Sequence, residues 1–144
     1  MKTHLSSRIS AGSLALLAAC APATDEPSGP SPSVAVVGDT AFLELPMGRS
    51  ADNGEISVTF DAVTEDSRCP SDVQCVWAGN GGVRLTLAGG EETDVVIVNS
   101  TVSPREISFR GYSIGYRELA PYPTSTERPD PAAYVVRIAV VDTR

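Results

Sequence analysis

Beyond residue 33 the chain is a series of short apolar runs, several alternating strictly with polar residues, separated by Gly, Asn and Pro. That is the pattern of half-buried strands rather than of amphipathic helices. The spacing predicts strands over 34–37 and 41–45, the second with Phe42, Leu43 and Leu45 as apolar bulk. Residues 46–54 read as a loop ending in Asn53-Gly54, a favoured tight-turn pair. Ile56, Val58 and Phe60 alternate with Ser57, Thr59 and Asp61, which marks a strand with one buried face, extending through Ala62 and Val63. Residues 75–78 lead through Gly79-Asn80-Gly81-Gly82 into Val83, Leu85 and Leu87, with Arg84 and Thr86 facing the other way. This stretch reads as the clearest hairpin of the chain. Gly89-Gly90 then turns into 93–98, where Val95-Val96-Ile97-Val98 is apolar on both faces and suits a central strand. Two more strands follow over 107–112 and 114–119, bent or bulged at Gly111 and Gly115. A loop with four prolines covers 120–132, and an apolar strand over 133–141 closes the domain. About eight strands without an amphipathic helix predict an all-β domain over 34–144, a small antiparallel β-sandwich or barrel.

The N-terminus follows different rules. Lys2, His4 and Arg8 precede a short apolar run over 11–19 that ends in Leu17-Ala18-Ala19-Cys20. The run is too short to cross a bilayer as a stable helix and ends in small residues, as a signal peptide does. Leu17-Ala18-Ala19-Cys20 resembles the lipobox of bacterial lipoproteins. The resemblance implies a signal peptide over 1–19, cleavage before Cys20 and acylation of that cysteine, which becomes a lipid anchor. Two or more acyl chains give stable anchoring. Ala21 after the cysteine, in place of aspartate, implies passage to the outer membrane if the cell is Gram-negative. Residues 21–33, APATDEPSGPSPS, contain no large apolar side chain, so with Cys20 they form a lipidated, flexible tether over 20–33. Thirteen residues at roughly 3 Å each reach up to about 40 Å from the membrane.

Charge and composition then narrow the function. Residues 1–19 carry two cations and no acid, so their loss takes the formal net charge from −7 to −9. A surface this anionic repels phosphates, which argues against nucleic acid as a partner and against electrostatic docking on acidic lipid. The only histidine, His4, and the only lysine, Lys2, both leave with the leader. The remaining chain has no imidazole for a Ser-His-Asp or Cys-His site and no amine for a Schiff base. No phosphate-binding loop or dinucleotide fingerprint occurs, and no cofactor is implied.

The rare residues gather in 66–82, DSRCPSDVQCVWAGNGG, which holds Cys69, Cys75 and the only tryptophan, Trp77. With Cys20 lipidated, Cys69 and Cys75 are an even pair in an exported protein, and a disulfide is the natural assignment. Pro70 and Asp72 favour a turn inside the loop. Trp77 is expected to cover the bridge or pack in the adjacent core; exposed, it becomes a ligand contact. Redox pairs usually have two residues between the cysteines and this one has five. A zinc site lacks ligands. Asp61, Glu65, Asp66 and Asp72 are close in sequence but lack the EF-hand spacing for calcium. DSRCPSDVQCVWAGN resembles a stretch of uncharacterised bacterial secreted proteins and lipoproteins that reads DSRCP, a few residues, then C-x-W-A-G. That resemblance implies a small exported β domain and brings no activity.

The expectation is therefore a lipid-anchored envelope protein whose β domain is not an enzyme and acts in binding or structural support. Its partners are the membrane, through Cys20, and an envelope protein or glycan. Candidate contacts are the loop from Arg68 to Trp77 and the segment 119–131, with Arg117, Tyr122 and Arg128, because loops carry binding function and Arg and aromatic residues suit interfaces. Two alternatives stay open: a carboxylate-based glycan hydrolase of the envelope, and a domain with a redox-active disulfide.

Overall fold

In a computed structural model of the chain, residues 29–144 are described. The signal peptide, Cys20 and most of the tether lie outside the described residues. Nine strands follow one another: β1 (Ser33–Val37), β2 (Thr40–Pro46), β3 (Ser50–Asp52), β4 (Ser57–Asp66), β5 (Gly81–Gly89), β6 (Glu92–Asn99), β7 (Glu106–Phe109), β8 (Tyr112–Ala120) and β9 (Val135–Asp142). One 3-10 turn, Pro131–Ala133, precedes β9. The strands form two antiparallel sheets, β1-β2-β9-β8-β7 and β3-β4-β5-β6. Their inner faces share one apolar core, so the domain is a β-sandwich.

Period-two alternation places the core residues. Ala41, Leu43 and Leu45 of β2, Val58 and Phe60 of β4, Val83, Leu85 and Leu87 of β5, and Val136, Ile138 and Val140 of β9 all point inward and are buried. In β8 the alternation runs through Tyr112, Ile114 and Tyr116, then jumps to Leu119. The register with β9 shifts between Tyr116 and Glu118, and this β-bulge absorbs Arg117 so that Leu119 returns to the core. The bulge thus sits at Arg117, not at Gly111 or Gly115. Gly111 belongs instead to the β7–β8 turn, where Arg110 (φ 51°) and Gly111 (φ 77°) both take the left-handed conformation of a two-residue hairpin.

Three further expectations change. The loop over 46–54 contains β3, while Asn53-Gly54 does make the predicted turn: Asn53 Oδ1 accepts hydrogen bonds from the amides of Glu55 and Ile56 at 3.1 and 3.0 Å. The Val95–Val98 run is not central. β6 is an edge strand, with Val95 58% and Ile97 45% exposed, because the chain leaves β6 for the other sheet and no strand returns to its free side. Asn80-Gly81 is not a hairpin turn either. β5 starts at Gly81 and pairs back to β4 across the whole of residues 67–80. The glycines between Ala78 and Val83 serve close packing rather than a reversal: a side chain on Gly82 would meet Thr64 Oγ1 at 2.7 Å.

The strand register sorts the loops into two groups. Residues 67–80, 100–105 and 121–134 lie at one end of the sandwich, where β4, β6 and β8 finish. The tight turns at Gly38-Asp39, 53–56, Gly90-Glu91 and Arg110-Gly111, with the C-terminal residues, lie at the other.

Candidate functional site

The loop over 67–80 begins as an extension of the β4–β5 ladder. The Ser67 amide donates to Asn80 O at 2.8 Å and the Cys69 amide to Ala78 O at 2.9 Å. Gly79 between these bonds has φ +69°, and a Cβ there would lie 1.8 Å from Ser67 O, so only glycine allows the two strands this approach. Above that base, Cys69 and Cys75 form the expected disulfide, with Cα atoms 5.9 Å apart. Closing about seven residues contributes roughly 2–2.5 kcal/mol by chain entropy.

Residues 121–134 are tied to this loop from beneath. Arg68 is 5% exposed. Its Nε donates to Asp66 Oδ1 at 2.7 Å and its second terminal nitrogen to Asp66 Oδ2 at 2.8 Å, a two-pronged pair. The remaining N–H groups donate to Leu119 O and, at 2.9 Å, to Pro121 O. The guanidinium stacks 4.5 Å from the Tyr122 ring centre, and Tyr134 Oη donates to Asp66 Oδ2 at 2.7 Å. Burial by itself pushes the Asp66 carboxyl up. The Arg68 hydrogen bonds and charge, with the Tyr134 hydroxyl, outweigh it and hold the carboxyl below its ordinary value. Burial likewise raises the Tyr134 phenol to about 12, helped by the Asp66 carboxylate. A second tie lies further out: Asp72 accepts from the Ser125 amide at 2.7 Å and the Ser125 hydroxyl at 2.5 Å, and the Ser71 amide donates to Pro123 O.

Asn80 joins the third loop. It is buried and donates to Glu65 Oε2 and Asn99 Oδ1, both at 3.0 Å. Its own Oδ1 accepts from the Ser100 hydroxyl and from the amide of Thr101. Thr101 Oγ1 also donates to Gly79 O at 2.7 Å. A buried amide with both its ends satisfied locks the geometry around it.

Of the residues expected to make contacts, Arg68 does not qualify: it is buried and its donors are spent on holding two loops together. Trp77 also departs from expectation, since it neither covers the bridge nor enters the core. It is 74% exposed and its neighbour Val76 fully so. The loop projects beyond the sheets, and the interior below is already closed by Phe60, Tyr116, Leu119 and Val136. Arg117 and Tyr122 line one shallow concavity of about 330 Å³ with Arg105, Thr101 and the base of the disulfide loop. Arg128 is exposed on the other side of that loop, where it borders a groove of about 680 Å³ with Met47, Val63, Pro131 and Tyr134. The candidate residues thus share one end of the molecule but not one cleft.

Sequence reasoning missed Asp66, Asn80 and Tyr134, which organise this end. The Asp-x-Arg spacing of Asp66 and Arg68 was a usable signal for the ion pair; Tyr134 comes from 68 residues away and had none. The acids considered for calcium are engaged separately. Asp61 accepts from Thr86, Glu65 from Ser67 and Asn80, Asp66 from Arg68 and Tyr134, and Asp72 from Ser125.

No family model matches the chain, and no curated protein or solved structure matches it significantly. Any functional conclusion therefore rests on the chain's own residues.

Proposed function

We propose that the protein is a lipid-anchored component of the bacterial cell envelope whose β domain acts without catalysis, in binding or structural support, through the disulfide end of the sandwich. One observation carries the reading. Val76 and Trp77 are held out in water by a loop fixed through a disulfide, ladder hydrogen bonds and the Asp72–Ser125 tie. A large aromatic side chain on a rigid loop binds with little further loss of entropy. The Cys20 lipobox supports the anchor, and a chain without His or Lys after residue 4 supports a non-catalytic role.

A photo-crosslinking amino acid placed at Trp77 in intact cells tests the reading. It is expected to capture a defined envelope species, whereas the same group at Glu91, on the opposite end, captures none. Equal background from both positions would refute the assignment of this end as the working surface.

A further inference from the structure

The strand register says where the chain outside the described residues joins the domain. Ser33, at the start of β1, pairs with Glu44. Glu44 lies two residues before Pro46, which pairs with Val135 at the foot of the proline-rich loop. Because β1 runs antiparallel to β2, the chain preceding Ser33 continues toward the disulfide end, and Cys20 is 13 residues upstream of Ser33.

That end carries a concentration of apolar side chains. Val73, Val76 and Trp77 on residues 67–80, Val102 on residues 100–105 and Tyr122 on residues 121–134 are all exposed. At the opposite end Val36 and Val37, beside the Gly38-Asp39 turn, are exposed too, but the exposed aromatic side chains, Trp77 and Tyr122, both lie at the disulfide end. The three loops are bound to one another through Arg68, Asn80 and Thr101, so they present their tips together.

We infer that the disulfide end docks on the bilayer that holds the anchor, with Val73, Val76 and Trp77 entering the headgroup region. The inference rests on the lipid-anchor reading and names the partner of the same surface. Tryptophan favours the membrane interface because its ring is apolar and its N–H finds a partner there. A short flexible tether holds a domain near its target at an effective concentration of about millimolar, so even a weak apolar contact is populated once the anchor is in place. With a net charge of −9 after loss of the leader, the docking is apolar rather than electrostatic. It is strongest on zwitterionic lipid and weakens as anionic lipid is added.

Trp77 is the only tryptophan, so its fluorescence reports on this surface alone. The full chain is produced in bacteria, its N-terminal peptide is weighed by mass spectrometry, and the protein is placed in phosphatidylcholine vesicles with or without bromine near the headgroups. Acylated Cys20 with a blue-shifted Trp77 emission, lost in brominated vesicles, is the expected result. Val76→Asp should restore the water-exposed emission while leaving the circular dichroism unchanged. Acylated Cys20 with identical, water-like emission in both vesicles overturns the docking and leaves the anchor standing. An unacylated peptide overturns the anchor and the docking together. Capture of a specific protein at position 77, with no bromine quenching, also overturns the docking.

Discussion

The two ends of the sandwich use the same chemistry for different purposes. Each has an arginine paired to an aspartate two residues away and stacked on a tyrosine. Arg68 pairs with Asp66 and lies 4.5 Å from Tyr122; Arg144 pairs with Asp142 and lies 4.7 Å from Tyr112. The first pair is out of water, its side chains only 3% and 8% exposed. The second, with its extra partner Glu55, stands in solvent. The difference lies in what the loops require. At the far end, two-residue turns are set by backbone conformation, and their charged side chains lie over finished structure. At the disulfide end, long segments run beyond the ladders, and carbonyls where β8 ends, Leu119 O within it and Pro121 O just past it, take donors supplied from inside by Arg68. A surface ion pair is screened by water and salt; a buried one cannot lose one partner without stranding the other.

Removing the buried partner should break that contrast most strongly. Asp66→Ala leaves the Arg68 charge uncompensated and is expected to cost about 3–5 kcal/mol in urea unfolding. A result near zero would mean that the network does not hold the loops. Opening the disulfide by Cys69→Ser with Cys75→Ser should cost less, roughly 2–2.5 kcal/mol, read from the same unfolding curves. Acid offers a third measurement. Because the folded Asp66 carboxyl titrates below its ordinary value of 3.8, its stabilisation is complete above that value. It declines as pH falls through the lower, folded one. Stability lost as pH falls below about 4 should therefore be smaller in Asp66→Asn, already destabilised at neutral pH, than in the parent.

Smaller effects sharpen the comparison. Trp77→Ala should change stability by no more than about 0.5 kcal/mol, and parent Trp77 should be quenched freely by acrylamide in the soluble state. A large loss of stability would mean that Trp77 is architectural after all. Arg144→Ala, at the opposite end, is expected to leave the unfolding midpoint where it was at any salt concentration. A clear downward shift would erase the distinction between the ends.

Much of the sandwich could be read from local sequence. Period-two alternation identified the core faces of β4 and β5, and Asn53-Gly54 marked its turn, because strand alternation and left-handed turn residues are local properties. The disulfide was also readable from the cysteine count. The position of the Val95–Val98 strand was not. An apolar run says that a strand can be buried, whereas burial on both faces depends on which strands later come to lie beside it. Nor was the role of Asn80-Gly81: the same dipeptide makes a tight turn when its flanks pair with each other, and here Gly81 pairs with Asp66 instead.

Residues 66–82 show where that boundary falls. Their own chemistry determined that two cysteines close a short loop, and the sequence beyond residue 4 sets no His or Lys beside them. Whether Trp77 or Arg68 reaches solvent was decided elsewhere in the chain. Leu119 and Pro121 arrive from more than 50 residues away and take up the arginine, Tyr134 takes up its partner Asp66, and a core completed by other residues leaves the tryptophan outside. Side-chain type sets which interactions a residue can make. Exposure depends on how much of that capacity distant segments have already satisfied.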